Sequence, residues 1–257
     1  YGVNLLFRPN DTDYSYYTKN MTPVLEKFIS AFPKTDILLV SSADRAFRYN
    51  GEYQTAKGLP NLLETQAKDF LRQILTTAAQ VDDDSLHVLL DLFELVSYKK
   101  NHEIIEEGKI ADYFYYIHKG IIRVYFYKND KLVIERFEKE GGLFGGNFTH
   151  VTKKPGTHIY ESVEEVQLLR IKYADLDELC KKSHQIERLY RIMMEHFHSG
   201  YVERLSTFKS LSSEERYHEF IQQYGDIANR VSLKDVANYL GMTPETLSRI
   251  RSKYDKY

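Results

Sequence analysis

The sequence is poor in the features that mark disulfide-bonded, metal-bound and membrane-spanning proteins. Its 257 residues include one cysteine, Cys180, which excludes an internal disulfide framework and any four-cysteine zinc or iron–sulfur site. No apolar run approaches the roughly 18–20 residues that span a bilayer, and no signal peptide is visible. We therefore expect a cytoplasmic protein without a metal or cofactor, in which Cys180 is a small buried apolar residue.

Neither sign of charge dominates the chain. The formal net charge is −2, which by itself says nothing about nucleic acid. From Arg230 to Tyr257, however, six basic residues stand against three acidic ones, a local charge of +3. A basic end on a near-neutral chain fits a DNA-reading module attached to a neutral sensor.

The period of the apolar residues changes along the chain. A helical rhythm covers about 68–96, with an acidic cap region at 82–85. Short strands separated by turn residues follow. Short strands at this spacing predict an antiparallel sandwich or barrel. The predicted strands are 103–106, 113–118, 121–127, 131–137, 157–163 and 166–171.

Helices return after Tyr173. A short one is predicted over 174–182 and a longer one over 185–208, and a third runs from Ser212 to Tyr224 and ends at Gly225. The long helix keeps apolar residues at three- and four-residue steps, and that stripe is broad enough to pack against a second copy of the chain. The alternative is a helix packed on its own barrel.

The segment 231–253 predicts two short helices joined by a tight turn. Ser232 can cap the first helix, with Asp235 completing a capping box, and Gly241 suits the left-handed conformation that ends it. Thr243 and the following proline then begin the second helix. This is the pattern of a helix-turn-helix whose second helix enters the DNA major groove.

The polar face of the second helix supplies the candidate DNA contacts. Leu247 and Ile250 are expected to face inward, because they lie three apart. We expect Arg249 to contact a guanine and Glu245 to accept from a cytosine amino group. The other candidates cap the helix, lie on its polar face or position the protein on phosphate: Lys234, Thr243, Thr246, Ser248, Arg251 and Lys253. An ordinary helical hairpin with a solvated basic face is the simpler alternative.

Taken in order, these elements resemble the Crp/Fnr family of bacterial transcription regulators over residues 68–257. The resemblance implies an α+β fold: an antiparallel β-roll of the cyclic-nucleotide-binding type (a cupin-like jelly roll), a long dimerisation helix and a C-terminal helix-turn-helix. It implies a sensor domain over 67–184, the dimerisation helix over 185–209 and a DNA-binding domain over 210–257. The family's Glu-Thr-x-x-Arg run matches Glu245, Thr246 and Arg249. The resemblance also implies a winged-helix-like domain. Because few residues follow the second helix of the motif, we expect any β-strand wing before the motif or not at all.

The expected sensor pocket departs from the family. Members that bind cyclic nucleotides resemble one another in a Gly-Glu-Leu and a later Arg-Ser/Thr-Ala, whose Glu and Arg grip the ribose and phosphate. Here these places fall on Gly146 and Gly156. Since a buried anion must be paired, we predict no tight cyclic AMP or cyclic GMP binding. The candidate pocket residues are Gly145, Gly146, Thr157 and His158.

Other residues near that pocket leave alternatives open. Lys153, Lys154 and His158 could hold a different anion, although a solvated loop is the simpler interpretation. The aromatic runs 113–116 and 125–127 could form a ligand wall, but alternating strand aromatics are more often barrel core. The histidines have no other potential metal ligands at a spacing that is typical of metal sites, so no metal site is expected.

Residues 1–66 differ from this architecture. The run 36–42 looks like a buried parallel strand, and a helix over 22–31 precedes it, which gives an α/β-like pattern. The segment resembles the middle of an SGNH (GDSL-type) hydrolase, with Asn4 in the oxyanion-hole block. The family's nucleophilic serine and Asp-x-x-His pair have no counterpart in the proper context. We therefore expect an inactive segment with no catalytic residues.

These patterns together predict a DNA-binding transcription regulator that acts as a homodimer on double-stranded DNA, does not associate with membranes, and whose small-molecule effector is left open. One alternative is an SGNH-type esterase fused to a regulator, which ester turnover dependent on Asn4 would reveal. A second is a ligand-binding module whose helix-turn-helix contacts proteins only, in which case binding would be insensitive to salt.

Overall fold

The computed structural model describes residues 37–40, 46–49 and 62–254. The chain divides into two units, Tyr1–Gln66 and Ala67–Tyr257. The expectations for Asn4 and for a helix over 22–31 lie outside the described residues. Each unit is described by itself.

Residues 37–40 and 46–49 of the first unit form a pair of strands. Strand β1 (Ile37–Val40) pairs antiparallel with β2 (Ala46–Tyr49), with Ile37 opposite Tyr49. The predicted parallel strand over 36–42 is therefore wrong in its orientation. The five residues between the two strands are too few for the crossover of a dozen or more that parallel pairing requires. These two strands thus lack the α/β character expected for residues 1–66.

Two helices precede the roll. They are α1 (Leu62–Ala78) and α2 (Asp83–Asp91). The Asp82 side chain caps α2, since its Oδ1 accepts from the Ser85 amide at 2.8 Å. Leu71 and Leu86 are fully buried in a cluster that also contains the beginning of the long helix described below. The predicted helical region is confirmed, except that its last residues belong to a strand.

Eight strands form the roll as two antiparallel four-stranded sheets. One sheet has the order β3-β10-β5-β8 and the other β4-β9-β6-β7. Ile117 and Leu168 from the first sheet meet Val124 and Tyr160 from the second in a shared core, which confirms the predicted antiparallel roll. The strands are β3 (Glu94–Tyr98), β4 (Glu103–Ile105), β5 (Tyr113–Lys119), β6 (Ile122–Lys128), β7 (Lys131–Glu138), β8 (Leu143–Phe144), β9 (Ile159–Ser162) and β10 (Val166–Lys172).

A β-bulge in β7 decides which of its side chains face inward. Tyr125 pairs with Ile134 and Val124 pairs with Arg136, so Glu135 is the extra residue. Ile134 and Phe137 consequently both lie in the cluster on the outer face of the sheet, although they are three positions apart, an odd number. Arg136 stands in the row of Val124, on the inner face of the roll.

The long helix follows a short helix that closes the roll. Between the strands, α3 (Thr149–Thr152) lies in the β8–β9 connection, and α4 (Tyr173–Lys182) follows β10. The long helix α5 (His184–Ser210) begins at Ser183, whose hydroxyl accepts from the Ile186 amide at 3.4 Å. Ile186 and Leu189 are buried, whereas the far half of α5 exposes Tyr201, Val202 and Leu205.

The last three helices pack on the outer face of the roll. They are α6 (Ser213–Tyr224), α7 (Leu233–Tyr239) and α8 (Pro244–Tyr254). Ser212 and Glu215 form a complete capping box at the start of α6. Tyr125, Ile134 and Phe137 of the roll share one apolar cluster with the cores of these helices. The predicted helices are confirmed, and their docking on β6 and β7 was not foreseen.

Candidate nucleic-acid interface and sensor pocket

The turn between α7 and α8 has the geometry that the sequence predicts. Gly241 has a φ of +66°, the left-handed region in which glycine is favoured. Its amide donates to the Asn238 carbonyl at 3.0 Å, and the Met242 amide donates to the Ala237 carbonyl at 3.0 Å. Ala237 is fully buried, consistent with a close approach of the two helices. This turn fixes the direction in which α8 leaves.

The start of α7 is capped by one side chain. The Ser232 hydroxyl accepts from the Asp235 amide at 3.1 Å, as predicted. The Asp235 carboxylate was expected to complete a capping box, but it accepts from Arg123 Nη1 on β6 at 3.3 Å. Arg123 also donates to Glu161 at 2.7 Å. The capping-box expectation is therefore wrong, because a charged partner on the roll takes the carboxylate.

Helix α8 presents a polar face to solvent. The Thr243 hydroxyl accepts from the Thr246 amide at 3.3 Å and so caps the helix. Leu247 and Ile250 are 0% and 6% exposed and lie in the core. Glu245 and Arg249 are exposed, and Arg249 has no hydrogen-bond or ion-pair partner among residues 62–254. The face opposite the buried pair is thus open.

The other residues predicted to contact DNA differ in their exposure and in whether their side chains already have partners. Ser248 and Lys234 are exposed, whereas Thr246 is half-buried and its hydroxyl lies 3.2 Å from that of Thr243. Arg251 is half-buried and borders an apolar cleft between α6 and α7. Lys253 is exposed and its ammonium lies 2.9 Å from Glu214 of α6. Surface pairs of this kind are weak and exchange readily for a phosphate.

Polar contacts hold α7 to the roll. The Ile134 amide donates to Asn238 Oδ1 at 2.7 Å, and Asn238 Nδ2 donates to the Leu132 carbonyl at 2.8 Å. The Asn238 amide thereby satisfies the exposed edge of β7, as another strand would. Arg230, counted above in the basic end, is paired with Glu140 and Glu164. It is therefore not available as a free cation.

The glycine loop of the expected sensor pocket is tightly packed. A Cβ built on Gly145 would come within 1.8 Å of Tyr173 Oη, and one on Gly146 within 2.2 Å of Ala111 Cβ. No side chain fits at either place without displacement. The absence of the family's gripping Glu at Gly146 is therefore matched by the absence of space for it.

Thr157 and His158 lie beside a carboxylate. Thr157 is exposed, and its hydroxyl lies 3.2 Å from His158 Nδ1. His158 Nε2 lies 3.4 Å from a Glu135 oxygen, and burial lowers the pKa of His158 below its ordinary value despite that carboxylate. The negative charge of Glu135 is unfavourable for an anion at His158. That His158, with the exposed Lys153 and Lys154, could hold an anion stays a prediction.

The inner wall of the roll carries an unexpected charged cluster. Arg136 Nε donates to Glu138 and Nη1 donates to Glu135, each at 2.6 Å. Nη2 donates to Tyr160 Oη at 3.1 Å, and Tyr160 Oη donates to Asn147 Oδ1 at 2.8 Å. Burial raises the pKa of Glu138 above its ordinary value, opposed by the adjacent guanidinium. This cluster connects the glycine loop to β7.

The aromatic residues 114–116 and Tyr125 are core rather than a ligand wall, whereas Tyr113 and Phe126 are half-buried and Tyr127 is exposed. Phe114, Tyr115 and Tyr116 are at most 4% exposed. The Tyr115 ring stacks on Phe144 at 4.8 Å, and Phe144 stacks on Tyr160 at 5.5 Å. Cys180 is half-buried rather than fully buried. Within the described ranges no group of three or more His, Cys, Asp or Glu could hold a metal ion.

No helix in the part of the chain that the structure describes is apolar and long enough to cross a bilayer. The longest of them, α5, mixes its apolar stripe with charged residues throughout its 27 positions.

Comparison with known proteins agrees with this architecture. Residues 95–183 match the family model of the cyclic nucleotide-binding domain. Over 174 residues the chain is 24% identical to the anaerobic regulatory protein of Haemophilus influenzae, covering 62% of this chain and 65% of that protein. Over 173 residues it is 24% identical to the fumarate and nitrate reduction regulatory protein of Vibrio cholerae, covering 62% and 67%. The chain thus spans just under two thirds of the first relative's length.

A solved structure shares the fold. FixK2 from Bradyrhizobium japonicum superposes with a TM-score of 0.55 at 22% identity, covering 64% of this chain and 85% of FixK2. At this identity the likeness is one of fold.

Proposed function

We propose that this chain, whose resemblance to the Crp/Fnr regulators the comparisons confirm, is a sequence-specific transcription regulator that binds double-stranded DNA as a homodimer. In this proposal the sensor spans 67–184, the dimerisation helix 185–209 and the DNA-binding domain 210–257. The protein works in the cytoplasm.

One observation carries the proposal. Helix α8 is anchored by Leu247 and Ile250, and its opposite side exposes Glu245, Ser248 and Arg249 to solvent. A carboxylate, a hydroxyl and a guanidinium on one helix face are the groups that read base edges in a major groove. Arg249 then contacts a guanine and Glu245 a cytosine amino group. Thr246 joins them on the base edges, Thr243 caps the helix, and Ser248, Arg251, Lys253 and Lys234 position the protein on phosphate.

The exposed half of α5 supports the dimer. Val202 and Leu205 are 51% and 56% exposed and lie three positions apart on one helix. Large apolar side chains at such spacing form a seam when a second copy packs alongside. A two-fold dimer places two copies of α8 about one DNA turn apart, roughly 34 Å.

Selection of bound duplexes from a random pool tests the proposal. We expect enrichment of a pseudo-palindrome, and an affinity that falls steeply as salt rises because phosphate contacts release counterions. Lys234→Ala should lower the slope of log affinity against log salt by about 1. Lys100→Ala, in the exposed turn after β3, is the matched control and should leave the slope unchanged. A pool that stays random after selection contradicts the proposal.

A further inference from the structure

Arg136 occupies the inner side of the roll, next to the glycine loop. Its row in the sheet is that of Val124 and Tyr160, whose side chains lie in the core between the two sheets. Tyr160 links Arg136 to Asn147, the residue after the two loop glycines. Two hydrogen bonds therefore connect the guanidinium to Asn147, the residue after Gly146. We call the inner side of the roll between the loop 145–147 and β7 the sensor pocket.

Two aromatic rings enclose this guanidinium. Its carbon lies 5.5 Å from the centre of the Tyr160 ring on β9 and 5.2 Å from that of the Tyr201 ring on α5. A cation held against tyrosine faces in a partly desolvated site is attracted by their quadrupoles. The rings belong to the roll and to the long helix, so the cation joins two elements that are far apart in sequence.

The donors of Arg136 are already engaged. Nε, Nη1 and Nη2 donate to Glu138, Glu135 and Tyr160, and the side chain is 11% exposed. An anionic ligand would have to displace two carboxylates and would be repelled by both. The arrangement is that of a bound cation with its counter-charges, except that the cation is covalently part of the chain.

The contact continues to the DNA-binding helices. Arg204 lies three residues after Tyr201 on α5, so the two side chains share a face of that helix. The Arg204 guanidinium lies 4.4 Å from the centre of the Tyr239 ring on α7. Contacts thus run from the glycine loop through Tyr160, Arg136 and Tyr201 to α5, and from α5 to the helix-turn-helix.

We infer that Arg136 is a built-in occupant of the sensor pocket: it joins the roll to α5 from within the chain, and DNA binding needs no small molecule. The inference rests on the proposed function, because its readout is DNA affinity. If DNA binding needs no small molecule, it is controlled by the amount of folded protein rather than by a nucleotide.

The experiment measures binding of the selected duplex by the purified full chain after dialysis, with and without millimolar cyclic AMP or cyclic GMP. We expect full affinity without nucleotide and a change of less than about twofold on adding either. Tyr201→Leu keeps Arg136 and its carboxylates but removes the ring from α5, and should weaken binding about tenfold while the far-UV circular dichroism is unchanged. Arg136→Ala should weaken binding at least as much, with recovery on adding n-propylguanidinium but not n-propylammonium.

Arg170→Ala is the matched control. Arg170 also lies over a tyrosine ring, at 4.3 Å from Tyr113, and pairs with Glu94, yet both partners are in the roll. It should bind DNA within about twofold of the unaltered chain. A folded Tyr201→Leu protein with unaltered affinity overturns the inference, as does a nucleotide that strengthens binding tenfold or more. If the unaltered chain selects no duplex, the proposed function itself fails, whatever the variants do.

Discussion

Arg249 on α8 and Arg136 on β7 carry the same guanidinium, but the fold uses them in opposite ways. Arg249 is exposed and has no partner among residues 62–254, so its donors are free for a ligand. Arg136 is enclosed by two carboxylates and two tyrosine rings, so its donors are spent within the protein. The difference teaches that the charge of a side chain does not reveal its role; the number of partners already present does.

The largest expected effect follows from removing the enclosed guanidinium. Arg136→Ala leaves Glu135 and Glu138 facing each other with little water, and should lower the free energy of unfolding by about 3 kcal/mol in urea titration. The double variant Arg136→Met with Glu138→Gln removes a charge of each sign and should recover part of that loss. If the double variant is less stable than the single one, the electrostatic explanation is wrong.

The exposed guanidinium of Arg249 should contribute to DNA binding and not to the stability of the fold. Arg249→Ala should weaken binding of the selected duplex by about 1–3 kcal/mol and relax the preference at one base position. The midpoint of urea unfolding should stay the same, because the exposed Arg249 side chain makes no hydrogen bond or ion pair with residues 62–254. Uniform weakening over all sequences, seen in a repeated selection, would show that Arg249 holds phosphate instead of reading a base.

The contact between helix α7 and strand β7 of the roll can be weakened separately. Asn238→Ala leaves the Ile134 amide and the Leu132 carbonyl without their partner, which should cost about 1–2 kcal/mol of unfolding free energy. Asn229→Ala, a change of the same type in the loop before α7, serves as the control. Equal effects of the two substitutions would argue that α7 does not depend on β7 in solution.

The smallest effect should be that of pH, and it should fall on the roll alone. Burial lowers the pKa of His118, His150 and His158, so the unfolded chain takes up protons at these sites more readily. The stability they contribute is therefore full above about pH 6.5 and falls as the pH falls through their lower folded values. Glu138, whose pKa burial raises, opposes this change.

Urea titrations between pH 7.5 and 5.5 measure that loss, with values placed on either side of the ordinary histidine pKa of about 6.5. His158→Gln should make the loss smaller, and Glu138→Gln should make it larger. At α8, hydrogen bonds from the helix start and from Thr243 lower the pKa of Glu245, so DNA affinity should be constant over the same range. A parallel decline of affinity and stability would contradict this separation.

The helix-turn-helix could be predicted from the sequence because its signals are local. Ser232, Gly241 and Thr243 act within a few residues of their own positions, and the buried Leu247 and Ile250 follow the helical period. The exposed reading face is the remainder of that period. The strands of the roll could be predicted for the same reason, except β3 and the two-residue β8, which were not predicted from the sequence.

The charged cluster could not be predicted, since it depends on long-range pairing. A strand without irregularity would place Glu135 and Phe137 on one face, whereas the bulge places Ile134 and Phe137 together and turns Arg136 inward. Tyr201 reaches the cluster from a helix some sixty positions later. The available signal was the pair of charges Arg136 and Glu138, two positions apart on a strand whose residues 132–134 and 137 are apolar. A long-range contact also explains why the Asp235 carboxylate accepts from Arg123 instead of completing the predicted capping box.

The bulge at Glu135 lets β7 carry one residue more than its partner strand without reversing its faces. Deleting Glu135 would leave plain alternation, with Ile134 outward, Arg136 inward and Phe137 outward, so these side chains would keep their present sides. Glu135 is therefore a position in β7 at which a reading-frame-preserving loss of three nucleotides should keep both the interior of the roll and the support of the output helices.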